Sequence, residues 1–163
     1  MNIRAVREDE VHLVHAMIIE LAEFEKAKEQ AVLSPQQLHA ALFADKPAVF
    51  CDLIESEDGE IAGFGIWFLN YSTWTGTHGI YLEDLYIRTA HRSAGFGSAY
   101  LKHLASLCIE RGYHRLQWWV LDWNEAAISF YTSIGAALMS EWTVMRVDGE
   151  SLANLANSAK LAN

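Results

Sequence analysis

Basic residues are scarce in this chain of 163 residues: 12 Lys and Arg stand against 21 Asp and Glu, a formal net charge of −9. Binding nucleic acid by phosphate neutralisation needs a face rich in Lys and Arg, so nucleic acid is not an expected partner. The acidity leaves room for a cationic substrate, although it also serves solubility. Cysteine is scarce too. Cys51 and Cys108 have no close partner and no metal-ligand spacing, which argues against a disulfide framework and suits a reduced, cytoplasmic setting. Only Pro35 and Pro47 are present, and no linker, repeat or low-complexity tract divides the chain. No charge-free apolar run approaches the ~18 residues of a membrane span, and Met1–Glu10 lacks the apolar stretch of a signal peptide. A membrane is therefore not an expected partner either.

What is present is a globular composition, 52% hydrophobic and 20% charged. The length predicts a single domain, residues 1–163, able to bury roughly 68–70% of its unfolded surface. A short strand, Asn2–Val6, leads into a helix whose apolar residues Val11, Val14, Met17, Ile18 and Leu21 recur at helical spacing. Ser34-Pro35 reads as an N-cap followed by proline in the first turn, opening a second helix through Phe43. Strands are expected at Ala48–Ser56 and Ile61–Asn70 around the Asp58-Gly59 turn. A loop follows at Ser72–Gly79, then a strand at Ile80–Arg88, a helix ending at Arg111-Gly112 and a strand at Arg115–Leu121. A short helix runs from Asn124 to about Gly135, a final strand covers about Ala137–Val147, and a weak helical tail closes the chain. The order is that of a mixed α/β fold, a mostly antiparallel central sheet flanked by helices, without the strict alternation of a doubly wound dinucleotide fold.

The most informative stretch is Arg92-Ser93-Ala94-Gly95-Phe96-Gly97-Ser98, between a strand and a helix. A helix N-terminus leaves about four backbone N–H groups unpaired, and the aligned peptide dipoles favour negative charge there. Glycines let the backbone approach a pyrophosphate, and Arg92 can add a charge-assisted contact. The same residues would also serve a tight connection. Two other phosphate motifs fit poorly. A Walker loop needs Gly-Lys-Ser/Thr, whereas Gly97 is followed by Ser98-Ala99; a dinucleotide fingerprint wants a small residue where Tyr100 stands.

Arg92, Gly95 and Gly97 resemble motif A of the GNAT superfamily of N-acetyltransferases. The likeness extends to Tyr81–Ile87, to Trp123-Asn124-Glu125-Ala126-Ala127-Ile128-Ser129-Phe130-Tyr131 and Gly135-Ala136, to Glu20–Glu25 and to Tyr71–Gly76. These stretches are similar to the spermidine/spermine (diamine) acetyltransferase-like subgroup. The resemblance implies transfer of an acetyl group from acetyl-CoA to the primary amine of a diamine, polyamine or lysine-like substrate, by direct attack in a ternary complex, without a metal. It implies that the amides of Ser93, Ala94, Gly95, Phe96, Gly97 and Ser98, with Arg92, hold the pyrophosphate. The backbone of Leu85, Tyr86 and Ile87 would receive the pantetheine and polarise the thioester carbonyl, a kind of contact whose loss costs ~2.7–4 kcal/mol. It also implies a homodimer in which the C-terminal strand region packs across the partner.

Two proton transfers then need residues. At pH 7 a lysine-like amine must lose a proton at a cost of about 4.6 kcal/mol, and a nearby carboxylate can attract the cation and take that proton. The resemblance assigns substrate contact and catalysis to Glu83, with Asp84 secondary. Adjacent on a regular strand, the two side chains point to opposite faces, unless a bulge re-aims one. Either can also be read as a polar residue alternating out of a half-buried strand. The departing thiolate needs a general acid, and Tyr131 is the candidate, with a core-facing aromatic as the plainer reading. Asn124 reads as an N-cap worth ~1 kcal/mol and, by the resemblance, as a cofactor contact. Phe24, Glu25, Trp74 and Glu141 fall at or near positions that the subgroup uses for the amine, where a cation over a ring gains ~0.5–2 kcal/mol.

The chain also departs from the subgroup. Phe24 stands where tyrosine is usual, the segment after Gly135 is shorter, and Trp118-Trp119 adds bulk to a strand near the pocket. These departures count against long polyamines and keep short diamines, lysine analogues and other small amines in play. His12 and His15 lack a third ligand at metal-binding spacing, and Cys108 reads as core. An acyl-CoA-binding module without catalysis, or a protein N-acetyltransferase, are the alternatives on the same fold.

Overall fold

The computed structural model describes residues 1–158. It forms two compact units, Met1–Trp119 and a second that begins at Val120. In the first unit the chain runs β1 (Asn2–Ala5), α1 (Val11–Phe24), α2 (Pro35–Leu42), β2 (Val49–Glu55), β3 (Ile61–Ser72), β4 (Thr77–Ile87), α3 (Phe96–Glu110) and β5 (Leu116–Gln117). The strands lie in sequence order across one sheet. All neighbours are antiparallel except β4 and β5, which run parallel over Ile80–Tyr81 and Leu116–Gln117. This is the mixed, mostly antiparallel sheet with flanking helices that the sequence predicts.

Each element has a local reason. At the start of α2 the Ser34 hydroxyl accepts from the Gln37 amide at 3.2 Å, and the Ser34 amide donates to Gln37 Oε1 at 2.8 Å. This reciprocal cap ties off two donors that a helix start leaves open. Val11, Val14 and Met17 form the apolar stripe of α1, and with Leu38 and Leu42 of α2 they pack onto Cys51, Leu53, Phe64, Ile66 and Tyr86 of the sheet. Directly paired residues in a sheet share a face. The α1–α2 face is thus the one that carries Phe64, Ile66 and Tyr86.

The other face holds α3. A β-carbon on Gly65 would sit 2.2 Å from the ring of Tyr100, so glycine here is what lets that ring lie flat on the strand. Tyr100 donates its hydroxyl to Asp52 Oδ2 at 2.9 Å, and Trp67 Nε1 donates to the same oxygen at 2.9 Å. The buried carboxylate is satisfied, as burial of a polar group requires.

The second unit contains α4 (Glu125–Ser133) and α5 (Gly149–Ser158). Three expectations need correction. The loop at Ser72–Gly79 is mostly strand, since β3 and β4 pair as far as Ser72 and Thr77 and leave a four-residue turn. The strand Arg115–Leu121 shrinks to Leu116–Gln117. The final strand Ala137–Val147 is absent among the described residues; Leu138, Met139, Trp142, Val144, Met145 and Val147 are exposed instead. An alternating apolar run becomes a strand only where a neighbouring edge completes its hydrogen bonds. Here it has none among the described residues.

Candidate active site

The decisive local feature is a register shift in β4. Ile66 pairs with Asp84, but the next residue, Trp67, pairs with Leu82, so Glu83 is one residue too many. That is a β-bulge, which bends a strand and redirects its side chains. Its effect follows from the pairs. Leu82 shares a face with Trp67 and Asp84 shares one with Ile66, so two residues of β4 that are two apart point to opposite faces. Asp84 is thereby turned to the α1 face, whereas regular alternation would place it under α3. The expectation that Glu83 and Asp84 point to opposite faces of a regular strand does not hold, because the strand is not regular there.

The bulge gathers charge. Burial pushes the Asp84 carboxyl up to about 6, and the negative charges of Glu83 and Glu25 push the same way. Glu25, immediately after α1, is itself raised by burial. Glu83 is exposed and Asp84 half-buried. Glu25, Glu83 and Asp84, all expected from the sequence, therefore form one acidic group. Beside it, Tyr81 is pushed up to about 12 by burial and by Glu83, and its ring meets Trp119 edge-on at 5.8 Å.

The loop after β4 is built for close approach. Ser93 has φ 64° and Gly95 φ 85°, both left-handed, a conformation that favours glycine and is uncommon for serine. A β-carbon on Gly95 or Gly97 would meet no atom within 4 Å, so the space before the first turn of α3 is open. No side chain caps that helix start. Arg92 donates Nε to the Ile87 carbonyl at 3.0 Å, and its guanidinium lies 4.6 Å from the Phe24 ring centroid and 5.7 Å from that of Tyr86. Arg92 and Phe24, expected at the donor and the amine respectively, are thus in contact. Leu85, Tyr86 and Ile87 pair with Gly65, Phe64 and Gly63 of β3. Among the described residues, β5 pairs with β4 no further than Tyr81.

Trp74 is not brought to the carboxylates of its own chain. It stands at the tip of the β3–β4 turn, 90% exposed; the six strand steps from Thr77 to Glu83 span roughly 20 Å.

In the second unit, Asn124 caps α4, its side chain accepting from the Ala127 amide at 3.2 Å. Tyr131 lies in the same helix; burial raises its phenol above the ordinary value, and its ring centroid is 5.4 Å from that of Phe130. Glu141 is exposed in the turn after α4.

The Acetyltransferase (GNAT) family profile matches residues 15–136. The chain belongs to the GNAT acetyltransferase family. It is 35% identical to thialysine N-epsilon-acetyltransferase of Mus musculus over 165 residues, covering 95% of this chain and 96% of that protein. It is 32% identical to spermidine/spermine N(1)-acetyltransferase-like protein 1 of Homo sapiens over 149 residues, covering 86% of this chain and 21% of that protein. Among solved structures it resembles an integron cassette protein from V. cholerae, with a TM-score of 0.79 and 28% identity over 95% of this chain and 96% of that one. Within the GNAT family it falls in the diamine acetyltransferase-like subgroup.

Membership in the GNAT family implies acetyl-CoA as co-substrate, and the loop fits one. The left-handed Ser93 and Gly95, the open space at Gly95 and Gly97 and the uncapped start of a 15-residue helix together leave room for a pyrophosphate. Among the described residues no group of three or more His, Cys, Asp or Glu is placed to hold a metal ion, and no helix is long and apolar enough to cross a membrane.

The bulge has a signature in the sequence that simple alternation misses. Skipping one residue at Glu83 makes Ile80, Leu82, Leu85 and Ile87 a continuous apolar face and leaves Tyr81, Asp84 and Tyr86 on the other. Tyr81 was not singled out beside the carboxylates, and its ring contact with Trp119, a residue expected to add bulk near the pocket, is not announced by the spacing of the two strands.

Proposed function

We propose that this GNAT acetyltransferase moves the acetyl group of acetyl-CoA to the primary amine of a small, lysine-like cationic substrate by direct attack in a ternary complex. The observation that carries this reading is the bulge, which turns Asp84 to the face where Glu25 and Glu83 add their charge. The near full-length similarity to a thialysine N-epsilon-acetyltransferase supports a lysine-like amine over a long polyamine. In this reading Glu83 attracts the ammonium and takes its proton, Asp84 and Glu25 deepen the local negative potential, and Phe24 and, by the family likeness alone, Glu141 are assigned to the amine. The amides of Ser93–Ser98 bind the pyrophosphate with Arg92, Asn124 adds a contact, and the Leu85–Ile87 backbone orients the thioester. Tyr131, a phenol kept protonated at neutral pH, returns a proton to the departing thiolate.

The family match runs across the boundary at Val120, which supports one acetyltransferase domain made of both units. The exposed apolar residues Trp142, Val144, Met145 and Val147 support a homodimer, in which Trp74 can meet an amine site other than its own; a monomer in sedimentation would remove that part. A cytoplasmic setting suits the two unpaired cysteines.

The test is thiol release from acetyl-CoA with thialysine, lysine, diamines and polyamines. Thialysine or another short amine should be turned over fastest, and Tyr131→Phe should lower kcat by about a hundredfold. Tight CoA binding with every amine inert would leave an acyl-CoA-binding module in place of an enzyme. Full turnover in Tyr131→Phe would remove the proton-donor role alone.

A further inference from the structure

Three rings stand in a row on the face that carries Asp84. Phe68 pairs with Tyr81 across β3 and β4, and their rings stack at 4.9 Å with 27° between planes. Tyr81 in turn meets Trp119 at 5.8 Å and 89°. The two geometries, offset-stacked and edge-on, are the favoured ones for aromatic pairs, so each ring supports the next. Its outer member is nevertheless open: Trp119 is 61% exposed. The middle ring adjoins charge, because Glu83 lies close enough to Tyr81 to raise its phenol. A carboxylate thus sits beside an aromatic surface whose outer end is an open indole.

Such a surface selects for what is attached to the ammonium. With the cation held at Glu83 and Asp84, the next atoms of the substrate run along Tyr81 toward Trp119. An apolar, polarisable group there gains contact area and ring–ring or CH–π attraction without giving up hydration. A second ammonium would have to shed water before using the same indole, which offsets much of its cation–π gain. We infer that Trp119, held by Tyr81, is a specificity-determining residue that favours primary amines bearing an aryl or similar apolar group on a short spacer. The inference rests on the proposed amine site at the bulge, and it adds the wall and the substrate class that the wall prefers.

The experiment compares kcat/KM for 2-phenylethylamine, n-butylamine and 1,4-diaminobutane in wild type, Trp119→Ala and Trp119→Phe, with melting temperatures as a check on folding. Wild type should prefer 2-phenylethylamine to n-butylamine by about tenfold, in line with one aromatic pair. Trp119→Ala should bring that ratio close to one, and Trp119→Phe should keep most of it. An unchanged ratio in Trp119→Ala overturns the inference, and so does a loss that falls chiefly on 1,4-diaminobutane. If no amine is acetylated, the acetyl-transfer reading fails by itself, and calorimetric binding of 2-phenylethylamine decides the wall. Affinity that depends on Trp119 sustains it; affinity that does not, or no binding, overturns it.

Discussion

Two groups of carboxylates in the first unit have opposite fates. Near the N-terminus, Glu10 is buried and accepts hydrogen bonds from Arg4 Nη1 and Nη2 at 2.7 Å each, from Arg7 Nη2 at 2.6 Å and from the Arg7 amide at 3.0 Å. Arg4 also reaches Glu55 with Nε at 2.8 Å. The hydrogen bonds from Arg4, helped by the Arg7 amide, hold the Glu10 carboxyl at about 2. At the other end of α1, burial and two neighbouring carboxylates hold Asp84 at about 6. The same chemical group is stabilised as an anion in one place and strained as an anion in the other. A closed arginine–carboxylate network completes itself within the chain; a carboxylate pushed up by burial and by two neighbouring carboxylates favours a cation from solution. That contrast separates a structural cluster from a candidate binding site more sharply than the net charge of −9 does.

The contrast can be broken by neutralising each group in turn. Glu83→Gln with Asp84→Asn should lower kcat/KM for the best amine by about 10²–10³, because both attraction and proton removal are lost; a loss below tenfold would make the acidic group dispensable. Glu10→Gln should leave kcat/KM unchanged and remove about 2 kcal/mol of stability by stranding Arg4, a fall of roughly 4–8 °C in Tm. An activity loss with unchanged Tm would reverse the assignment of the two groups. The wild-type contribution of Glu10 is present above pH 4.5 and is lost as pH falls toward about 2.

The smallest effect sharpens the comparison most. The folded-state pKa of Asp84 lies above its ordinary 3.8, so its ionised form destabilises the fold as pH rises through about 6, and the penalty vanishes below 3.8. Asp84→Asn should therefore raise stability at pH 7.5 by about 1 kcal/mol, reduced by partial exposure, and leave it unchanged at pH 3.5. The same titration predicts an acid limb near pH 6 in kcat/KM, which Asp84→Asn should abolish. A Tm that rises equally at both pH values would mean that packing, not charge, is responsible.

Much of the fold was legible because its signals are local. The helical stripe of Val11, Val14 and Met17, the Ser34-Pro35 start and the Asp58-Gly59 turn each depend on residues a few positions apart. The glycines of the Arg92–Ser98 loop marked the helix start in the same way, and Asn124 its cap. What was not legible depends on partners distant in sequence. Whether Ala137–Val147 becomes a strand is decided by an available edge, not by its own alternation. The bulge at Glu83 is a relation between β3 and β4, and the contact of Arg92 with Phe24 joins residues from opposite ends of the first unit. Two acids in the middle of an apolar strand were the visible trace of a shift that alternation alone assigns to the wrong face.

Tyr100 gives the α3 helix a bearing. A helix lying on a sheet is free to roll about its own axis unless something projecting from it is held. The Tyr100 ring, seated on the bare backbone of Gly65 and pinned at its tip to Asp52, acts as a long lever against that rotation. Phe96 and Gly97 begin the same helix one turn earlier, so the direction in which their amides point is set from the sheet face on which the helix lies. The aim of the loop before α3 is then governed by a buried phenol one turn into the helix.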